Sequence, residues 1–140
     1  ILHLARDPMD VCYSNLKIMF GSASPYCYDM QAVGHYYGQY AHLTDHWRKA
    51  LPNAMLDIPY ASLVRDPEAT MHRILGHCGL EIEGACLRPE LNTSPVATPS
   101  SAQVRESIHT RGLAQWRHYA KQLEPLRQAL AAELVPITAL

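Results

Sequence analysis

Twice in this 140-residue chain a short apolar run gives way to an Asp-Pro pair that opens a helical pattern. The first run is residues 1–5, followed by Arg6 and then Asp7-Pro8; the second is residues 54–60, followed after a short spacer by Asp66-Pro67-Glu68. Asp is a favoured helix N-cap, and Pro suits the first helical position, where its missing N–H costs nothing. The order strand–helix–helix–strand–helix predicts an α/β layer fold with a mostly parallel sheet. Only two strands are legible, and a two-stranded parallel sheet is an incomplete core. The opening Ile1-Leu2-His3-Leu4-Ala5 reads as the middle of a strand, so the expectation is a portion of a longer chain.

Between these markers the apolar periodicity predicts a helix from Pro8 to about Phe20, carrying Cys12, Leu16, Met19 and Phe20 on one face. Residues 21–28 read as a loop. From about Asp29 to Leu51, Val33, Tyr36, Tyr37, Tyr40, Leu43, Trp47 and Leu51 follow a helical period, which predicts a long amphipathic helix with the tyrosines and Trp47 packed in a core. Met71, Ile74, Leu75 and Cys78 form the stripe of the helix after Asp66, and Gly79 is its expected stop. Residues 81–110, with Pro89, Pro95 and Pro99, are too long for a plain connector and are either functional or disordered. A last helix is expected from about Leu113, kinked or restarted at Pro125.

With 12 Lys+Arg against 13 Asp+Glu and a formal charge of -1, the chain is a poor candidate for a basic nucleic-acid binder or a membrane-surface patch. No apolar run approaches the roughly 18–20 residues of a membrane span. The four cysteines form no CxxC pair; Cys12 and Cys78 fall on apolar helix positions, where reduced buried thiols and a cytoplasmic setting are expected. Among eight histidines, His42 and His46 are spaced i, i+4, but no His-Glu-x-x-His motif accompanies them, and no metal site is expected. His35 and His109 are minor candidates for a base, and Arg117, Lys121 and Arg127 read as a solvated face.

The residues that carry chemistry gather at the first strand–helix junction. In open parallel sheets, ligands bind outside the carboxyl ends of strands, and Arg6 stands there beside a helix N-terminus. A guanidinium in that place suits a phosphate. Ser14 lies on the Asp10 and Lys17 side of the helix, about 10–12 Å from its start, within reach of an Arg side chain folded along the helix. An Arg6–Asp7 surface pair and a solvated Ser14 are the alternative.

Arg6-Asp7-Pro8-x-Asp10-x-x-x-Ser14 resembles the segment with which sulfotransferases hold the 3'-phosphate of 3'-phosphoadenosine 5'-phosphosulfate (PAPS). The resemblance implies that Arg6 and Ser14 touch that phosphate. Asp57-Ile58-Pro59-Tyr60-x-x-Leu63-Val64-x-Asp66-Pro67-Glu68 is similar to the family's second strand and capped helix, which implies that Tyr60 approaches the adenine. Ser100-Ser101-Ala102-Gln103-Val104-Arg105, followed by Trp116, is similar to the late loop of tyrosylprotein sulfotransferases and bacterial relatives attached to tetratricopeptide repeats. That likeness implies a lid over about residues 88–116. Ser100, or Ser101 one place on, would donate a hydrogen bond to the transferring group, and Arg105 would contact the nucleotide.

The implied fold is the three-layer α/β sandwich shared with P-loop kinases, with residues 1–140 as the C-terminal part of one sulfotransferase domain and the strand–helix at 1–20 as its 3'-phosphate site. The implied partners are PAPS as co-substrate and an acceptor hydroxyl, a protein tyrosine being one candidate, with no metal. The family's Gly/Ser-rich phosphate loop and its catalytic base lie upstream of the positions matched here, so the 140-residue chain by itself is expected to be inactive. Glu106-Ser107 and Gln115 stand where relatives often carry other residues. Two further readings stay open: a P-loop-type nucleotide kinase, and a degenerate non-catalytic domain that binds nucleotides or partners.

Overall fold

Both Asp-Pro sites start helices as predicted, in a computed structural model that describes residues 1–18, 20, 24–97 and 105–137. The Asp7 carboxylate accepts from the Asp10 amide at 3.1 Å and caps α1 (Pro8–Leu16). Asp66 does the same for Ala69 at 3.1 Å, capping α4 (Pro67–Cys78). Asp29 caps the long helix α2 (Met30–Ala50) by accepting from Ala32 at 2.7 Å. In each case one orphan amide of the first helical turn is satisfied by a side chain encoded immediately before it.

The fold is mixed α/β, mostly helical with a small parallel sheet, and it divides into two compact units, Ile1–Ala5 with Leu56–Arg111 and Arg6–Met55 with Gly112–Leu140. In the first, the sheet unit, β1 (Leu2–Ala5) pairs in parallel with β2 (Leu56–Pro59), in the register Leu2 with Leu56 and Ala5 with Pro59. The cross-strand pair His3 and Asp57 is joined through Nδ1 and Oδ1 at 2.5 Å. The second strand is shorter than residues 54–60, because α3 (Tyr60–Arg65) begins directly behind Pro59, a helix that periodicity did not reveal. α4 ends where Gly79 turns left-handed at φ 69, and the Leu80 amide reaches back to Leu75 O at 2.9 Å. That arrangement is the Schellman stop expected of the glycine. Short 3₁₀ turns at Gly84–Leu87 and Pro89–Leu91 follow. Cys78 is exposed rather than buried, since α4 turns only Thr70 fully inward.

The second, helical unit packs α1, α2 and α5 (Glu124–Ala132) around Met9, Cys12, Val33, Trp116, Leu123, Leu126, Leu130 and Val135. Three expectations are corrected here. α1 stops at Leu16 rather than Phe20. The final helix does not run from Leu113: a 3₁₀ turn at Gln115–Tyr119 precedes a new helix in which Pro125 occupies the first turn. Proline there starts a helix rather than kinking one, because the first-turn N–H groups need no intrahelical acceptor. α2 buries Val33, Gly34, Gly38 and Thr44, while Tyr36, Tyr40, Leu43, Trp47 and Leu51 are exposed. The glycines decide the face. A Cβ on Gly34 would meet the Ala129 Cβ at 2.7 Å, and one on Gly38 would meet the Glu133 Cβ at 2.5 Å, so α5 crosses α2 where side chains are absent. Tyr37 alone of the tyrosines on α2 keeps the expected role, half-buried against the core.

Candidate functional site

The helical unit carries the Arg6–Ser14 motif. Arg6 follows β1 directly in sequence, and its guanidinium donates to the Gly112 carbonyl. The Tyr37 hydroxyl donates to Arg6 O at 3.4 Å, and burial of that phenol pushes its pKa up. Behind Arg6, Asp10 is almost wholly buried, 2% exposed. Its carboxylate accepts from the Ala114 amide at 2.7 Å and the Trp116 amide at 3.4 Å. One helical turn beyond Ser14, Lys17 Nζ donates to Gln115 Oε1 at 2.9 Å and lies 4.5 Å from the Tyr13 ring centre. Ser14 is half-buried, four residues from Asp10 and three from Lys17. Residues at those separations share a helix face. The side of α1 read as phosphate-facing is therefore the side along which residues 112–116 return, with Arg6 at one end of the contact and Lys17 at the other. Asp7, the partner in the alternative reading of Arg6, caps α1, and the Arg6 guanidinium donates to Gly112.

The sheet unit carries the other named residues. Tyr60 opens α3, and together with Leu63, Val64, Val96, Ile108 and Arg105 it lines a cavity of about 540 Å³. Arg105 donates to Ser94 O at 2.7 Å across that cavity's rim. At its far side Glu106 pairs with Arg111, and His109 Nε2 stands 3.5 Å from the same carboxylate oxygen of Glu106. An apolar wall broken by a phenol, a guanidinium and an imidazole suits a flat, partly polar ligand. Tyr60 and Arg105, 45 positions apart in the sequence, are thus brought to one cavity. Ser100 and Ser101 lie outside the described residues.

Of the histidines weighed as bases, His35 is occupied at both ring nitrogens, Nδ1 with Glu133 at 2.7 Å and Nε2 with Gln39 at 2.8 Å. His42 and His46 are exposed on α2. Among the described residues no group of three or more His, Cys, Asp or Glu comes together to hold a metal ion. Nor is any described helix long and apolar enough to cross a membrane. The residue that sequence reasoning passed over is Asp10, which periodicity placed on a polar face. A signal was present: the turn at Gln115 is preceded by Ala114, which offers no side-chain acceptor, so its amides must find one elsewhere.

Residues 1–84 match the family model described as "Sulfotransferase family", a span that takes in the Arg6–Ser14 motif, both strands and Tyr60. The chain belongs to the sulfotransferase family. It is also similar, at 29% identity over 133 residues, to an uncharacterized protein of Aquifex aeolicus (strain VF5). That alignment covers 93% of this chain and 18% of the relative, so the chain spans less than a fifth of that protein's length. For a sulfotransferase, the matched span holds the strand–helix junction at Arg6 and the second strand with Tyr60, while Arg105 and the return segment 112–116 lie beyond it.

Proposed function

We propose that this chain forms the 3'-phosphate grip and part of the lid of a PAPS-dependent sulfotransferase, with residues 1–140 as the C-terminal part of one domain built on the three-layer, P-loop-kinase-like sandwich. The observation that carries the reading is Arg6, which lies in the segment that matches the family and whose guanidinium donates to the Gly112 carbonyl. Arg6 and Ser14 hold the 3'-phosphate. Tyr60 and Arg105, which line one cavity, take the nucleoside side of the ligand. Ser100, or Ser101, donates to the sulfuryl oxygens from the late loop.

Sulfuryl transfer resembles phosphoryl transfer, with a loose in-line transition state whose charge sits on peripheral oxygens. The acceptor hydroxyl oxygen bonds to sulfur as the bond from sulfur to the 5'-phosphate oxygen breaks. Adenosine 3',5'-bisphosphate leaves with that electron pair, and a base contributed by sequence preceding Ile1 takes the acceptor proton. Positioning supplies most of the rate in such chemistry, and these residues serve that part. The motif Ser100 to Arg105 supports the tyrosylprotein-like branch with tetratricopeptide repeats elsewhere in the chain and a hydroxyl acceptor. The four unbridged cysteines suit a cytoplasmic setting.

The test is Arg6→Ala in the full-length protein, titrated calorimetrically with adenosine 3',5'-bisphosphate. Loss of a charge-assisted arginine–phosphate contact is expected to weaken binding by about 10- to 100-fold. Unchanged affinity overturns the assignment.

A further inference from the structure

A carboxylate is seldom fully buried without a cation or several donors to satisfy it. Asp10 is 2% exposed, and the hydrogen bonds that reach its carboxylate come from two backbone amides, Ala114 at 2.7 Å and Trp116 at 3.4 Å. These amides belong to the start of the Gln115–Tyr119 turn, whose N-cap, Ala114, has no side-chain acceptor and sits in the left-handed region at φ 54. For a residue with a Cβ that conformation is strained, so it persists only where the surroundings hold it. Asp10 is thus a cap supplied from the other end of the chain. Two residues before Ala114 stands Gly112, whose carbonyl receives the Arg6 guanidinium.

We propose that Asp10 is a positioning residue of the phosphate grip: by holding Ala114 and Trp116 it fixes the Gly112 carbonyl, which in turn orients the Arg6 fork. The inference rests on the reading of Arg6 as a 3'-phosphate ligand. A guanidinium is planar, so pinning one N–H on a carbonyl sets the direction of the remaining donors. Asp10 touches neither nucleotide nor reacting atoms and works only through this relay. Lys17 on Gln115 ties down the same segment from its exposed side, where a contact is screened by water and contributes little. The buried carboxylate therefore sets the geometry.

The full-length protein and its Asp10→Asn variant are titrated with adenosine 3',5'-bisphosphate and with adenosine 5'-monophosphate, which lacks the 3'-phosphate. Asparagine keeps the volume of the side chain but turns one acceptor into a donor facing an amide. The variant is expected to lose about tenfold in its preference for the bisphosphate, with monophosphate affinity little changed. A general loss of structure would weaken both ligands together. A wild-type protein that prefers the bisphosphate beside a variant with the same preference overturns the role of Asp10 and leaves Arg6 standing. A wild-type protein that binds both nucleotides alike overturns the phosphate reading and this relay with it. Hydrogen exchange on the wild-type protein needs no variant to fold: the bisphosphate, and not the monophosphate, is expected to slow exchange at the Ala114 and Trp116 amides, and equal effects of the two overturn the relay.

Discussion

In the helical unit eight side chains share one buried cluster drawn from α1, α2, α5 and the segments around them, whereas in the sheet unit full burial reaches Ile58 and Thr70, and Leu63, Val64, Met71, Ile74 and Leu75 stay half-covered. The difference matches what each carries. The helical unit holds Ser14 on a packed helix and Arg6 just before it, where side chains beside a close-packed core keep their directions. The sheet unit holds an open cavity of about 540 Å³ beside Tyr60 and Arg105, a shape suited to receiving the bulk of a ligand.

Deleting core volume should separate the two units most clearly. Leu126 is wholly buried, so Leu126→Ala is expected to cost about 2–5 kcal/mol, read by urea unfolding through the fluorescence of the buried Trp116. The same change at Leu63, half-buried on the cavity wall, is expected to cost less than about 1.5 kcal/mol in a whole-chain circular dichroism titration. Equal losses would mean that the sheet unit is as tightly packed as the other. A smaller effect tests the glycine crossing. Gly34→Ala raises helix propensity, yet its Cβ would lie 2.7 Å from the Ala129 Cβ, so a net destabilisation of about 1–3 kcal/mol is expected. A variant as stable as the parent would show that α2 and α5 can move apart freely.

The mildest test is alkaline pH. Burial pushes the Cys12 thiol from its ordinary 9.0 up to about 12. The unfolded chain therefore loses this proton first, and the contribution is fully present below pH 9 and declines as pH rises through the native value. The slope is at most about 1.4 kcal/mol per pH unit for one group. Tyr37, whose pKa burial also raises, acts in the same direction at higher pH. Unfolding midpoints measured from pH 8 to 11 should stay level and then fall. In the same samples the exposed Cys78 should react with a thiol reagent at pH 8 while Cys12 waits for unfolding. Rapid labelling of Cys12 in the native protein would show that the helical core is open.

The helices opened by Asp-Pro were legible because a cap is a local bargain between neighbours: Asp7 and Asp66 each satisfy an amide three residues on, as Asp29 does in the structure without having been read as a cap. Gly79 was legible for the same reason, since a left-handed stop needs only the residue that tolerates it. The strand positions and the Arg6–Ser14 motif were read from contiguous runs. The inward face of α2 was not. Counting apolar residues favoured Tyr36, Tyr40, Leu43 and Trp47, while the helix turned Gly34 and Gly38 toward α5 because close approach of two backbones gains more contact than aromatic rings on that side would allow. α3 was hidden by its length, a few residues wedged behind Pro59 with no room for a period to show.

Sequence alone determined the Asp-Pro helix starts, the glycine stop of α4, the parallel strand–helix order and the contiguous Arg6–Ser14 motif, because each depends on residues within a few positions of one another. Tertiary structure decided that Asp10 caps a turn more than a hundred residues away, that Arg6 faces Gly112, and that Tyr60 and Arg105 share a cavity. Those pairings depend on which distant amides and carbonyls the packed chain brings within about 3 Å, and no local pattern encodes that distance.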